Sequence, residues 1–258
     1  MQPAYARPVS DKWTEDARLV ATYDVECAGR HDHDFYLERI RSLGSRAVVD
    51  LGCGTGVFAT AAHTLYAGID VVGVDPSPAM IDAARARDPF GKVTWLIGDS
   101  TAIPSDSVDL IVMMGHVAQY FVDDAEWIRT LADCHRALRP GGHLTFEVRN
   151  PGAREWECWT RSATFERFPH PDGGWFESWT EVVDVAGDPE APTETHEGHT
   201  VLPSGEHLVA RETLRFRRLG EITSALDATG FVVESLVGNW DGSPLLPTSP
   251  ECIVLAHR

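Results

Sequence analysis

The chain has 258 residues, a formal net charge of −17 and 43% hydrophobic residues, enough to bury a substantial core in one enlarged domain or one domain with a sizeable insertion. That charge argues against a nucleic-acid substrate, because neutralising phosphates takes Lys and Arg, and it points to a small-molecule partner. Cys27, Cys53, Cys134, Cys158 and Cys252 form no Cys-x-x-Cys pair, so neither a zinc framework nor a disulfide scaffold is expected, and the cytoplasm is the expected compartment. No signal-peptide core is expected at the N-terminus, and no stretch approaches the ~20 apolar residues that cross a membrane.

Residues 1 to 15 read as poorly structured. Glu15 to Leu43 reads as the helical part of a lead-in covering residues 1–45, and it contains Tyr23 and the cluster His31-Asp32-His33-Asp34. That cluster has no third ligand at helical spacing, so it reads as a solvated turn or capped helix start, and no metal is expected. Ala47 to Leu51 is short, apolar and β-branched, as a strand covered on both faces should be. It runs into Gly52, Gly54 and Gly56, which strip side chains from a turn entering a helix over Val57 to Tyr66. Backbone N–H groups and the helix N-terminus can then face a ligand.

Ile69 to Asp75 is a second strand ending in an acid, and a carboxylate there can accept both hydroxyls of a ribose. A helix near 78–87 follows. Val93 to Ile97 is a third strand, closed by Gly98-Asp99-Ser100, and Asp109 to Met114 a fourth, closed by Gly115-His116. A helix near 123–138 starts at Asp123-Asp124 and carries His135 on a partly covered face; the fifth strand, near 143–149, ends in Glu147, Arg149 and Asn150. Each strand delivers polar residues at its carboxyl end, the edge where open α/β sheets bind ligands, so residues 46–150 form a doubly wound α/β core.

Residues 151–215 break this alternation. They hold Trp156, Trp159, Trp175 and Trp179, half of the eight tryptophans, in β-rich segments separated by Gly- and Pro-containing loops. Trp175 to Val185, Thr193 to Leu202 and His207 to Phe216 read as strands, with Pro203-Ser204-Gly205-Glu206 as a hairpin turn, so an antiparallel β insertion after strand five is expected. Residues 216–258 return to the core: a helix over Leu219 to Thr229 capped by Gly230, a strand over Phe231 to Val237, and a last strand over Glu251 to Ala256.

The ordered set Asp50-Leu51-Gly52-Cys53-Gly54-Thr55-Gly56, then Asp75-Pro76-Ser77-Pro78-Ala79-Met80, Asp99, and Leu138-Arg139-Pro140-Gly141-Gly142 resembles the class I S-adenosylmethionine-dependent methyltransferases of small-molecule type. The likeness is close over residues 20 to 150 and looser beyond. It implies a doubly wound, Rossmann-like, seven-stranded sheet and S-adenosyl-L-methionine as cofactor. Asp50, Gly52, Cys53, Gly54 and Gly56 would hold that cofactor, with Asp75, Ser77 and Met80 on the ribose side and Asp99 and Ser100 on the adenine side. Gly115 and His116 would stand near the methyl end, Tyr23 would close over cofactor or substrate, and the insertion would cover the acceptor.

Methyl transfer from a sulfonium is an in-line displacement on an activated carbon, so placement is the main task and a base is needed only for a protonated acceptor. His116 is the first candidate for that base, with an intrinsic pKa suited to proton acceptance. Gln119 and Tyr120 could orient the same groups, and Asn150, Trp156 and Trp179 are candidate acceptor contacts. Glu147 and Arg149 share a strand face and are expected to pair with each other, while His196 and His199 are alternative bases that read first as exposed strand histidines. The function expected is transfer of a methyl group to oxygen or nitrogen of a small molecule. Two alternatives are an NAD(P)-dependent oxidoreductase and a non-catalytic S-adenosylmethionine-binding protein. Val57, standing where a dinucleotide loop wants its last glycine, weighs against the first of these.

Overall fold

A computed structural model describes residues 9–10, 13–29 and 32–258. His31 and most of the segment read as poorly structured lie outside the described residues. The lead-in begins with β1 (Val9–Ser10) and continues into α1 (Ala17–Glu26) and α2 (Asp32–Leu43). Asp16 caps α1 by accepting from the Arg18 amide at 3.0 Å.

The core alternates as its sequence requires: β2 (Ala47–Leu51), α3 (Val57–Leu65), β3 (Asp70–Asp75), α4 (Pro78–Arg87), β4 (Thr94–Ile97), β5 (Val108–Met113), α5 (Asp124–Ala137) and β6 (Leu138–Arg149). Strand β6 starts five residues earlier than its apolar pattern predicts, because Leu138 pairs with Val108 directly after α5. The insertion supplies α6 (Arg161–Thr164), β7 (Glu166–Pro169), β8 (Trp175–Asp188), β9 (Ala191–Val201) and β10 (His207–Arg215). The chain closes with α7 (Leu219–Ala228), β11 (Val232–Val237) and β12 (Glu251–His257).

Seven strands form one sheet in the order β11-β12-β6-β5-β2-β3-β4. The strands from β6 to β4 are parallel, while β12 runs antiparallel to both β6 and β11. Period-two alternation sends successive residues to opposite faces. Val49, Leu51, Ile111 and Met113 pack under α5 and α7 with Trp127, Leu131 and Leu226. Val48, Val71, Leu110 and Val112 pack under α2, α3 and α4 with Tyr36, Ile40, Phe58 and Ile81. Asp50 shares a face with Val48, which sends its carboxylate to the side where the lead-in helices pack.

The second sheet has the order β1-β10-β9-β8-β7 and is antiparallel except for β1, which adds a parallel edge beside β10. The Pro203–Glu206 turn closes the β9–β10 hairpin, with the Leu202 amide donating to the Glu206 carbonyl at 2.9 Å. Leu208 and Ala210 on one face of β10 pack against Leu19 of α1, and Leu214 on the same face packs with Trp156 and Phe216.

Candidate active site

The glycine turn after β2 is a left-handed path. Gly52, Gly54 and Gly56 have φ of 81°, 52° and 75°, and the Gly52 and Cys53 amides donate to the Val74 carbonyl at 2.7 and 3.1 Å. Two of these glycines answer to packing inside the protein. A Cβ on Gly52 would lie 2.4 Å from Val117, and one on Gly56 would lie 2.4 Å from the Trp95 ring and 2.9 Å from Ala84. A Cβ on Gly54 would meet only the Tyr23 ring, at 3.7 Å, so Tyr23 lies against the middle of the loop. Beside it opens a cavity of about 330 Å³, bounded by Tyr23 and Asp24 from α1, Cys27 just past its end, His33 from α2, Asp50 from β2, Gly52, Cys53 and Thr55 from the loop, Phe58, Arg87 and Met114. A glycine-lined recess holding the Asp50 carboxylate under an aromatic roof fits the ammonium-bearing, partly apolar methionyl end of S-adenosylmethionine.

The residues expected on the ribose and adenine sides stand apart from that recess. Asp75 ends β3, nearly buried, and each carboxylate oxygen accepts one amide: Ser77 to Oδ1 and Gly54 to Oδ2, both at 2.9 Å. Burial raises its pKa while the two amides pull it down. Each oxygen keeps a second lone pair, so a diol can still be received. Ser77 is spent on capping α4 and on the Thr14 carbonyl, and Met80 is buried in α4. Asp99 is exposed, and accepts from the Thr101 amide and hydroxyl, which lower its pKa. Ser100 is buried and donates to Asp133. Asp75→Ala would strip two amides of their acceptor and loosen the loop, so Asp75→Asn is the cleaner test. It is expected to weaken S-adenosylhomocysteine binding about tenfold by calorimetry, as loss of a charged acceptor does; an unchanged Kd would remove Asp75 from the cofactor site.

The carboxyl ends of β5 and β6 meet the start of β12, because an antiparallel last strand begins where its neighbour ends. Glu251 accordingly sits opposite Arg149. His116 follows β5 at φ 61°, its amide donating to Glu147 Oε1 at 2.7 Å and its Nε2 lying 3.0 Å from Glu251 Oε2. Tyr36 of α2 donates its hydroxyl to the other Glu147 oxygen. Glu147 is fully buried and Glu251 nearly so. Burial, then the Glu147 carboxylate, pushes Glu251 up to about 9, and burial beside Glu147 drives the Tyr36 hydroxyl well above its ordinary value. The expected Glu147–Arg149 pair gives way to a different arrangement. Glu147 serves His116 and Tyr36, while Arg149 donates to Gln119 Oε1 at 3.2 Å, reaches Glu155 at 3.3 Å and lies over the Trp159 ring.

Glu251 makes stability fall with rising pH. Its carboxyl ionises near 4.5 when exposed and near 9 when folded, so it costs nothing below about pH 4.5 and progressively more up to about pH 9. Glu251→Gln removes that slope. From pH 6 to 8 the wild type is expected to lose about 3 kcal/mol relative to the variant in urea unfolding; a pH-independent difference would show that Glu251 is ionised in the fold.

Gln119 is fully buried, its oxygen taken by Arg149 and its Nε2 without a hydrogen-bond partner among the described residues. Asn150 is a clamp. Its Oδ1 accepts from Gly152 and its Nδ2 donates to the carbonyls of Leu246, Pro247 and Ser249. Trp156 is buried edge-on against Phe216 at 4.5 Å, in the core of the insertion. Alternation along β9 separates His196 and His199. His196 faces Trp159, between Glu194 at 3.0 Å and Glu212 at 3.3 Å, and Glu212 also accepts from the Tyr120 hydroxyl at 2.9 Å. Burial lowers the His196 pKa, but the two carboxylates outweigh it and hold it at about 9. His199 faces the other way and stacks on Trp179 at 4.8 Å, with Arg161 over the same indole. Trp156 and Trp179 are therefore not brought together, and Trp179 stands on the sheet face turned from Tyr120.

Residue types alone did not single out Tyr36, Glu251, Asp24, Arg87 or Glu212. Glu251 carried a usable signal, since a final antiparallel strand must start at the ligand edge. Among the described residues, no group of three or more His, Cys, Asp or Glu is placed to hold a metal, and no helix is long and apolar enough to cross a membrane.

A parallel α/β sheet ending in an antiparallel hairpin, with a glycine turn and two strand-end acids at its carboxyl edge, defines a nucleoside-cofactor fold. Residues 48–142 match the family described as "Methyltransferase domain". The chain is 39% identical over 100 residues to the uncharacterized methyltransferase Rv3342 of Mycobacterium tuberculosis, covering 39% of this chain and 38% of that one. The match thus spans well under half the length of that relative. Among solved structures it is similar to the methyltransferase CcbJ of Streptomyces caelestis, with TM-score 0.75, 18% identity, and 96% and 98% of the two chains covered. It is also similar to the sugar N-methyltransferase KedS8 of Streptoalloteichus sp ATCC 53650, with TM-score 0.70, 18% identity and 98% of each chain covered. Residues 48–142 thus carry a methyltransferase domain, and the chain shares its fold with S-adenosylmethionine-dependent methyltransferases.

Proposed function

We propose that the protein transfers a methyl group from S-adenosylmethionine to a nitrogen of a small-molecule amine. The observation that carries this reading is the buried set Glu147, His116 and Glu251 at the carboxyl edge of β5, β6 and β12. The inner face of the insertion adds Glu194 and Glu212 around His196. The oxygen lone pairs of these carboxyl groups are acceptors suited to the N–H donors of an amine. The sugar N-methyltransferase KedS8, which shares the fold, accords with nitrogen as the acceptor atom.

S-adenosylmethionine supplies, when bound, a methyl carbon already activated by a positive sulfur. The chain has to place the acceptor and remove a proton. Glu147 fixes the His116 backbone, Glu251 orients the imidazole through Nε2, and Nδ1, the other ring nitrogen, receives the amine proton as the amine lone pair is committed to carbon. Tyr23 and the insertion, residues 151–215, exclude water from above, the latter tied to the edge through Tyr120–Glu212 and Arg149–Trp159.

The test is methyl incorporation from isotopically labelled S-adenosylmethionine into matched panels of amines and alcohols, with the modified atom read by mass spectrometry. Turnover of amines supports the reading. Turnover confined to hydroxyl acceptors would make this an oxygen methyltransferase, and NAD binding in place of S-adenosylmethionine would overturn the cofactor site.

A further inference from the structure

Helix α1 roofs the recess beside the glycine loop, and three groups from three elements meet behind that roof. Asp24, one residue after Tyr23, takes the Thr55 hydroxyl on one oxygen and the Arg87 guanidinium on the other. Arg87, the last residue of α4, also donates from Nε to the Thr55 carbonyl at 3.0 Å. One guanidinium thereby fixes the backbone of the loop and the carboxylate that anchors α1. Thr55 is buried, whereas Arg87 and Asp24 are each about one-third exposed, which leaves their pair open to salt.

We propose that Arg87 is a positioning residue of the cofactor site: its bridge from Asp24 to the Thr55 carbonyl holds the Tyr23 roof against the glycine loop, so that cofactor exchange requires the bridge to open. Arg87 acts through α1 and takes no part in methyl transfer. The fourteen residues bounding the recess include five from the α1 end of the lead-in, Tyr23 to Gly29, so the position of this one helix decides whether the recess is closed. The inference rests on the recess being the methionyl end of the S-adenosylmethionine site.

The experiment measures association and dissociation rates of S-adenosylhomocysteine by stopped-flow tryptophan fluorescence on the full chain, at low and high salt. Arg87→Ala is expected to raise the dissociation rate about tenfold and to quicken association as well, because entry and exit pass the same closing contact. Wild-type dissociation should quicken with salt, and the variant's should not. The exchanged pair Asp24→Arg with Arg87→Asp should recover part of the slow dissociation, which a general loosening of the fold would not. If Arg87→Ala fails to fold, Asp24→Asn breaks the same ion pair and keeps the Thr55 contacts, and it should show the same loss of salt dependence. Wild-type binding with unchanged rates in the variants overturns the inference alone. A wild type that binds no S-adenosylhomocysteine overturns it together with the cofactor reading.

Discussion

His116→Ala is expected to lower turnover by about 10² to 10⁴ while S-adenosylhomocysteine affinity stays within about twofold. The imidazole stands on Glu251 at the carboxyl edge, and its backbone is pinned by Glu147. Removing the ring leaves the acceptor's proton without a receiver but leaves the glycine loop untouched. His116 holds φ at 61°, where alanine is strained, so His116→Asn is the necessary companion: asparagine tolerates that conformation and cannot act as the base. Both variants should lose the acid limb of the pH–rate profile. Superimposable profiles for wild type and His116→Asn would retire His116 as a base and leave placement as the source of the rate.

The second large effect lies in the loop itself. Gly56→Ala is expected to destabilise the fold by about 2–4 kcal/mol, combining left-handed backbone strain with overpacking. The new methyl would press on the Trp95 indole, which is already wedged from the other side: a Cβ on Gly73 would lie 2.4 Å from the same ring. The indole therefore cannot retreat toward β3. Thermal unfolding should fall by roughly 5–10 °C. Trp95→Phe combined with Gly56→Ala should recover part of the loss by opening space, and a melting temperature equal to wild type in the single variant would show that the loop relaxes freely.

The core was legible because its chemistry is local. Asp50 through Gly56 and Asp75 through Met80 are contiguous stretches whose composition dictates strand, turn and capped helix start. The same stretches also answer to packing that residue types do not announce. Gly56 makes room for Trp95, and Ser77 caps α4. The acid set around His116 was only partly legible, since it assembles α2, the turn after β5, β6 and β12. Glu147 and Arg149 share a face, so pairing was the natural expectation. Tyr36 and Gln119, 111 and 30 residues away from them, compete and win. Strand β1 offers two residues of pattern, and its place beside β10 follows from tertiary packing.

The stitching of the lead-in to the insertion bears on how such a protein acquires new acceptors. Val9–Ser10 lies along β10, Arg18 bonds Glu206 at 2.7 Å, Leu19 packs on Leu208 and Ala210, and Glu26 receives the Ser178 hydroxyl at 3.1 Å. Two segments at opposite ends of the cofactor domain thus share one hydrophobic seam. A recombination that swapped residues 151–215 alone would leave Leu19 facing a foreign surface, whereas a swap carrying residues 9–26 along would transplant the seam intact. With residues 151–215 as the proposed acceptor cover, the heritable unit of acceptor choice is a split cassette with the cofactor domain threaded through its middle.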